Sequence, residues 1–170
     1  RAGFGEFSGE LSDLAAVVVE EASKLSYRSL SQRCGPPTVG GQRCPWSVCA
    51  LGKFGAREMG FGSDVELIFV YQDEGATDGP DPIENSRFFA DLVRLFLNTL
   101  TARREGIFEI DLRLRPYDKS GPLASTLGGF TDCYSTSCAA RQFERMALVK
   151  LRPVAGDAAL GERILDSRDA

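Results

Sequence analysis

Five consecutive apolar or aromatic residues, LIFVY at 67–71, constrain this chain most, because such a run is expected to be buried. Together with Val65 they predict a buried β-strand over 65–71. Two carboxylates, Asp64 and Glu66, stand at the head of this strand and project from the same side of it. Burying an unpaired carboxylate is costly, so this acidic pair needs a partner.

A second predicted strand, IFEIDLRLR at 107–115, alternates strictly between two kinds of side chain. One face is apolar and belongs to the core, whereas the opposite face is almost entirely charged. The apolar face comprises Phe108, Ile110, Leu112 and Leu114, and the other comprises Ile107, Glu109, Asp111, Arg113 and Arg115. If the two strands are neighbours, Asp111 can stand opposite the pair formed by Asp64 and Glu66.

The rest of the chain mixes helical and extended patterns. In the first half of the chain we predict a helix over 9–31 capped by Ser8, a strand over 46–51 and an acidic loop over 72–85. In the second half we predict a helix that is capped by Ser86 and ends near Gly106, and weaker helical signals lie over 127–145. A strand over 147–154, which Pro153 confines to an edge or an end of a sheet, and a polar helix from Asp157 complete the prediction. The apolar stripes are Leu11, Leu14, Ala15, Val18, Ala22 and Leu25 in the first helix, and Phe89, Leu92, Val93, Phe96 and Leu100 in the second. This order predicts an α+β, α/β-like domain with a small mixed sheet flanked by helices.

Composition narrows the function. The chain has 170 residues, enough for one domain with a core, and its formal net charge of −4 argues against general nucleic-acid binding. No apolar run approaches the length of a membrane helix, so no membrane association is expected. The chain contains no histidine, which excludes Ser-His-Asp triads, Cys-His pairs and histidine bases within it. Its five cysteines lack a zinc-site spacing and are interpreted as reduced structural thiols of a cytoplasmic protein.

Three converging carboxylates repel one another unless a divalent cation lies between them, and oxygen ligands favour Mg²⁺, with Mn²⁺ as the alternative. Gly62 and Ser63, just before the acidic pair, can cradle a phosphate, and Arg113 and Arg115 can neutralise its charge. This combination suggests phosphoryl or nucleotidyl transfer. The plainer alternative is that Asp64 and Glu66 form cross-strand salt bridges with these arginines. Four other cations are interpreted as surface charges: Lys53, Arg57, Lys119 and Lys150.

The segment GKFGAREMGFGSDVELIFVY resembles a signature of the glutamine synthetase adenylyltransferase and adenylyl-removing enzymes, which read much like GKLGGREMGYGSDLDLIFLY. The resemblance continues in IFEIDLRLRPYDKSGPLAS and in ERMALVKLRPVAGD. It implies the nucleotidyltransferase fold of the DNA polymerase β superfamily. The implied organisation is a single catalytic domain over 1–170 from a larger protein, with a leading helix and loop over 1–45, a metal-binding sheet core over 46–116, and C-terminal helices with the last strand over 117–170.

The same resemblance implies roles for individual residues. Asp64, Glu66 and Asp111 match the metal-binding and catalytic acids, and Gly62 and Ser63 match the triphosphate-binding turn. ATP is the implied substrate, and the metal would neutralise pyrophosphate and activate a tyrosine hydroxyl of glutamine synthetase. A regulatory signal-transduction protein is an implied partner for other parts of the protein. Position 66 departs from the family, which usually has Asp there.

The resemblance leaves the direction of the reaction open. Ser120-Gly121-Pro122-Leu123 and ERMALVKLR look more like the adenylyl-removing half, in which phosphate releases ADP from adenylyl-tyrosine. The stretch GFGS at 60–63 looks more like the adenylylating half, which is the first hypothesis. A nucleotide-binding regulatory domain without turnover and a small-molecule nucleotidyltransferase on the same fold are the remaining alternatives.

Overall fold

A computed structural model describes residues 4–101, 109–116, 121–134, 146 and 148–169. In these ranges the helices are α1 (Phe4–Cys34), α2 (Gly52–Gly55), α3 (Asn85–Thr101), α4 (Leu127–Tyr134) and α5 (Ala158–Asp169). The strands are β1 (Pro37–Val39), β2 (Gln42–Arg43), β3 (Trp46–Ala50), β4 (Val65–Tyr71), β5 (Ala76–Thr77), β6 (Ile110–Asp111), β7 (Ser125–Thr126) and β8 (Arg152–Gly156).

The central sheet is mixed, as the sequence predicts. Its strands lie in the order β6-β4-β3-β8, and β7 also pairs with β4. The β3–β4 and β3–β8 pairs are antiparallel, whereas β6 and β7 both run parallel to β4. Pro153 lies in β8 at the edge of the sheet, where its missing N–H interrupts no further pairing. The prediction of an α+β domain with a small mixed sheet flanked by helices is confirmed.

Strand β4 is buried on both faces because helices cover both sides of the sheet. Leu67, Phe69 and Tyr71 belong to one core cluster, together with buried residues of α1 and α3. Ile68 and Val70 belong to a second cluster, together with buried residues of α4 and α5. This two-sided burial explains why the strand reads as a continuous apolar run. Asp64 and Glu66 share the even-numbered side of the strand with Ile68.

Helix α1 is longer than predicted, and its buried face overlaps only partly with the predicted apolar stripe. It begins at Phe4, so Ser8 is not its N-cap: the Ser8 carbonyl accepts a hydrogen bond from the Ser12 hydroxyl at 2.7 Å within the helix. Leu14 and Leu25, predicted as core residues, are 57% and 56% exposed. The buried face is lined mostly by small residues, which allow close packing on α3 and β8: Ser8, Ser12, Ala15, Val19, Ala22, Ser23, Ser26 and Leu30. Among the described residues, no helix is long and apolar enough to cross a membrane.

The loop before β3 and the loop after β4 are more ordered than predicted. Gly40 and Gly41, with φ of +58° and +78°, form the turn of a short β1–β2 hairpin that the periodicity did not reveal. The acidic segment 72–85 contains β5, which pairs with β1. The buried amide of Asn85 donates hydrogen bonds to the carbonyls of Thr38 and Asp73, at 2.9 and 3.2 Å. The segment is exposed over most of its length, as predicted, but it also contributes a short strand and the buried side chains of Thr77 and Asn85.

Three predicted boundaries also shift. Helix α3 begins at Asn85 rather than after Ser86, although its predicted stripe lies against the core. Of the strand predicted over 107–115, the described residues 109–115 form a strand only at Ile110–Asp111, and the backbone turns after it, with Arg115 N–H donating to the Leu112 carbonyl at 3.3 Å. The last strand begins at Arg152, and the described residues 148–151 before it are not part of a strand. Gly106, 107–108, 117–120 and the predicted helical signals over 135–145 lie outside the described residues.

The start of α5 and the cysteine interpretation agree with the sequence. The Asp157 carboxylate accepts a hydrogen bond from the Leu160 N–H at 2.8 Å, which is an N-cap contact. Free thiols are present at Cys34, Cys44, Cys49 and Cys133, whereas Cys138 lies outside the described residues. Burial raises the pKa of the Cys49 thiol to about 12, so it remains protonated.

The phenylalanines offer a matched test of this core. Phe96 is fully buried and its ring lies 5.3 Å from that of Phe69, whereas Phe61 is 83% exposed. We expect Phe96→Ala to lower the free energy of unfolding by about 3–5 kcal/mol. The control Phe61→Ala should change it by no more than about 0.5 kcal/mol. Urea denaturation measures both values, and equal effects would contradict this assignment of the core.

Candidate carboxylate site

The pairing of β4 with β6 builds the site. The two strands are parallel, with Val65 opposite Ile110 and Glu66 opposite Asp111. The Val65 N–H donates to the Glu109 carbonyl at 2.8 Å, which extends this ladder by one residue. Asp64 precedes Glu66 by two residues on the same side of the chain. The strands are therefore neighbours, as the predicted convergence of the carboxylate site, defined here as Asp64, Glu66 and Asp111, requires.

The electrostatics of Glu66 show that these acids influence one another. Burial raises the pKa of Glu66, and the negative charges of Asp111 and Asp64 raise it further. The positive charges of Arg113 and Lys53 act in the opposite direction. Placing three carboxylates together therefore makes it unfavourable for Glu66 to ionise.

Arg113 is the cation that offsets this charge most directly. Its guanidinium binds both carboxylate oxygens of Asp111, at 2.6–3.0 Å, and its backbone N–H donates to the same carboxylate at 2.8 Å. The Asp111 side chain is only 9% exposed, whereas that of Arg113 is 63% exposed. Among the described residues, the ion pair of Arg113 is thus with Asp111, on the same segment, and not across the strands with Asp64 or Glu66.

The donor set fits Mg²⁺ or Mn²⁺ in its chemistry, since all three side chains offer carboxylate oxygens. In their present positions, however, no three or more His, Cys, Asp or Glu side chains of the described residues are arranged to hold a metal ion. The contact between Asp111 and Arg113 gives a physical reason, because it occupies both oxygens of one acid. Binding a cation with all three acids therefore requires at least one of these side chains to move.

The turn before the acidic pair is closed by its own hydrogen bonds. The Ser63 hydroxyl oxygen accepts from the Gly60 N–H at 3.0 Å, and the Ser63 N–H donates to the Gly60 carbonyl at 3.1 Å. Gly62 has φ of +75°, a conformation that glycine adopts without strain. The hydroxyl proton of Ser63 can still be donated to an anion. The roles of Gly62 and Ser63 in phosphate binding stay a prediction.

A cavity of about 560 Å³ opens beside the site. Its lining includes Asp64, Asp111, Arg113 and Arg115, together with Glu109. The Arg115 guanidinium donates to the carbonyls of Leu112 and Gly121, at 2.9 and 3.3 Å, and so stabilises the turn after β6. The cavity brings four of the predicted site residues together. Glu66 is not among its lining residues.

Helix α1 supports the glycine-rich segment that leads into the site. Arg57, which has φ of +60°, forms an ion pair with Asp13 of α1. The buried Met59 donates its N–H to the Ser12 hydroxyl at 3.3 Å. This close contact with α1 fixes the path of the chain toward Asp64.

The cations that the sequence analysis interpreted as surface charges divide into three cases. Arg57 and Lys150 form exposed ion pairs, with Asp13 and Glu58. Lys53 is exposed, and its charge lowers the pKa of Glu66, so it belongs to the surroundings of the site. Lys119 lies outside the described residues.

Sequence reasoning missed two residues of the site. Glu109 lines the cavity, and the strict alternation of 107–115 had already placed it on the charged face. Gly52 lies directly against the Glu66 carboxylate. No periodicity reports such a contact, and only the glycine-rich composition of the turn after β3 could have drawn attention to it.

The chain is similar to known proteins over almost its whole length. A family model described as glutamate-ammonia ligase adenylyltransferase matches residues 2–167. A protein of Thioalkalivibrio sulfidiphilus, named bifunctional glutamine synthetase adenylyltransferase/adenylyl-removing enzyme, is 38% identical over 97% of this chain. Proteins of the same name from Methylococcus capsulatus and Pseudomonas aeruginosa are 38% and 34% identical over 92% and 97% of it. The chain spans 17% of the length of each of these relatives.

The raised pKa of Glu66 predicts a pH-dependent effect on stability. Ionised Glu66 opposes folding at about pH 7, so Glu66→Gln should raise the free energy of unfolding there, in buffer containing a chelator. The gain should disappear as pH falls through the raised pKa and below the ordinary value of 4.5, because Glu66 is then protonated in both states. Urea denaturation at about pH 7 and about pH 4 measures the difference.

The control for this prediction is Glu10→Gln, which removes an exposed carboxylate of α1. It should show no comparable gain at either pH. A loss of stability in Glu66→Gln at about pH 7 would mean that contacts of the ionised carboxylate outweigh its burial and repulsion.

Proposed function

The chain belongs to the glutamate-ammonia ligase adenylyltransferase family, and we propose on that premise that it transfers AMP from ATP to a tyrosine of glutamine synthetase. The observation that carries the proposal is the register of β4 and β6. It places Glu66 opposite Asp111, with Asp64 two residues away. Two of these carboxylates, Asp64 and Asp111, line a cavity together with Arg113, and such a set suits nucleotidyl transfer to a hydroxyl group.

Asp64, Glu66 and Asp111 would hold Mg²⁺ or Mn²⁺. When bound, the cation supplies charge neutralisation for the phosphates and lowers the pKa of the attacking hydroxyl. The chain's own contribution is to keep three acids at fixed positions on two paired strands. Arg113, which is 63% exposed and lies next to Asp111, is placed to donate to a phosphate oxygen once it leaves that carboxylate.

The turn at 60–63 would hold the triphosphate of ATP. Gly62 leaves room for a close approach, since nothing lies within 4 Å of where its side chain would begin. The Ser63 hydroxyl, positioned by the Gly60 N–H, has a proton to donate. Arg115 lines the cavity together with Asp64 and would add positive charge to the site.

The reverse reaction is the second candidate, favoured by the names of the relatives, which join both activities in one protein. In adenylyl removal, a phosphate oxygen attacks the adenylyl phosphorus, the bond to the tyrosine oxygen breaks, and ADP and free tyrosine result. The same acids and the same turn would serve both directions. Glutamine synthetase is the proposed protein substrate in either case. The proposed location is the cytoplasm. A regulatory signal-transduction protein is a proposed partner of other parts of the protein.

A binding role without turnover is a third candidate, and the Asp111–Arg113 contact favours it. Both oxygens of this acid are engaged by a guanidinium. A domain that only bound nucleotide would tolerate this arrangement permanently. Replacing Asp111 by Asn separates the possibilities, because a catalytic acid is needed for transfer and less so for nucleotide affinity.

The test uses the full-length protein that contains this chain, with Asp64→Asn as the variant. Unlabelled glutamine synthetase is incubated with Mg²⁺ and ATP, and adenylylated glutamine synthetase with Mg²⁺ and phosphate. Intact-mass spectrometry follows the gain or loss of AMP. We expect the rate of AMP gain to fall by about 10²-fold or more, with AMP removal retained.

Asp166→Asn, an exposed aspartate of α5, is the matched control and should leave both rates unchanged. Loss of AMP removal alone would assign this chain to the removing half. If neither rate falls while Mg²⁺-ATP still binds, a role in turnover is contradicted and a binding domain is favoured.

A further inference from the structure

Gly52 and Glu66 are in unusually close contact. Strand β3 ends at Ala50 and α2 begins at Gly52, and between them the Leu51 N–H donates to the Glu66 carbonyl at 3.0 Å. A Cβ atom placed on Gly52 would lie 1.5 Å from Oε2 of Glu66 and 2.7 Å from its Cδ. The carboxylate of Glu66 therefore lies directly over the α-carbon of Gly52, in space that any other residue would fill.

This contact bears on the one acid that departs from the family signature. The family usually has Asp at position 66, whereas this chain has Glu, whose carboxylate is one methylene further from the backbone. An extended Glu would carry its oxygens past the place that Asp oxygens occupy. Here the Glu66 side chain bends over Gly52 instead, and the negative charges of Asp111 and Asp64 still act on its carboxylate.

We infer that Gly52 is a positioning residue for Glu66. The missing side chain at 52 provides the space in which the Glu66 carboxylate lies. The catalytic consequence of this inference rests on the proposed function, because the position of Glu66 affects activity only if Glu66 binds the metal. The contact itself is independent of that function.

A second requirement at Gly52 has to be separated from this one. Its φ of +53° lies in the left-handed region, so any other residue there is strained regardless of Glu66. Gly40 offers a matched control: its φ is +58°, and nothing lies within 4 Å of its would-be Cβ. Gly40→Ala therefore carries the backbone strain without the collision.

The decisive variant is the pair Gly52→Ala with Glu66→Asp. Aspartate lacks the methylene that carries the carboxylate over position 52, so the collision should disappear in the double variant. The backbone strain of alanine at 52 should remain. If Gly52 acts through Glu66, replacing Glu66 by the shorter Asp must restore the Mn²⁺ affinity that Gly52→Ala removes.

The experiment measures Mn²⁺ affinity by isothermal titration calorimetry and the midpoint of thermal unfolding, in the full-length protein and in Gly52→Ala, Gly40→Ala, Glu66→Asp, Glu66→Ala and the double variant. We expect Gly52→Ala to weaken binding at the site by about 10-fold or more, which is typical when the support of a metal ligand is lost. Gly40→Ala should leave the affinity unchanged while lowering the unfolding midpoint. Glu66→Asp with Gly52→Ala should recover most of the affinity that Gly52→Ala loses.

Mn²⁺ binding to the double variant that is as weak as binding to Gly52→Ala would overturn the inference, since Gly52 would then act through its backbone alone. The proposed function has a separate test in Glu66→Ala: unchanged Mn²⁺ binding and unchanged AMP transfer would reject Glu66 as a ligand. In that event the unfolding midpoints still decide on the contact. If the shifts in unfolding midpoint of Gly52→Ala and Glu66→Asp add up in the double variant, the contact between the two residues is contradicted. Non-additive shifts would support the contact.

Discussion

The parallel pairing of β4 with β6 is the constraint on which the carboxylate site depends. It is the contact that brings Asp111 next to Glu66, across a chain separation that includes the whole of α3. Strand β4 is in turn held by β3 on its other edge and by core clusters on both faces. The buried strand β4 therefore fixes the positions of two of the three acids, Asp64 and Glu66, which lie at its beginning.

The site is electrostatically costly for the protein. Burial and two neighbouring acids raise the pKa of Glu66, and the Asp111 carboxylate is held by Arg113. Such an arrangement opposes folding unless positive charge is nearby. A purely structural sheet would gain stability by replacing one acid with an apolar residue. The raised pKa of Glu66 lies at the head of β4, where the proposed function places its metal-binding acids.

Much of this arrangement could be predicted from the sequence, because it follows from local patterns. The apolar run at 67–71 predicted β4 with its full extent, and Pro153 predicted an edge position for the last strand. The buried face of α1 was predicted only in part: the stripe included Ala15 but not Ser12, which packs closely there, whereas hydrophobicity pointed wrongly to Leu14. The early end of β6 and the role of Gly52 were also missed, since both depend on contacts with distant parts of the chain.

The brevity of β6 has a consequence for the dynamics of the site. Strand β4 is seven residues long and buried on both faces, whereas β6 comprises two of the described residues, and the backbone turns after it. Opening this described part of β6 breaks few hydrogen bonds and separates Ile110 and Leu112 from the core, so its local unfolding costs less than unfolding of the domain. Asp111 can therefore separate from Asp64 and Glu66 while the fold persists. Amide hydrogen exchange would register this as fast exchange at 110–111 beside slow exchange in β4, and the assembled site is one state of a local equilibrium that a ligand can shift.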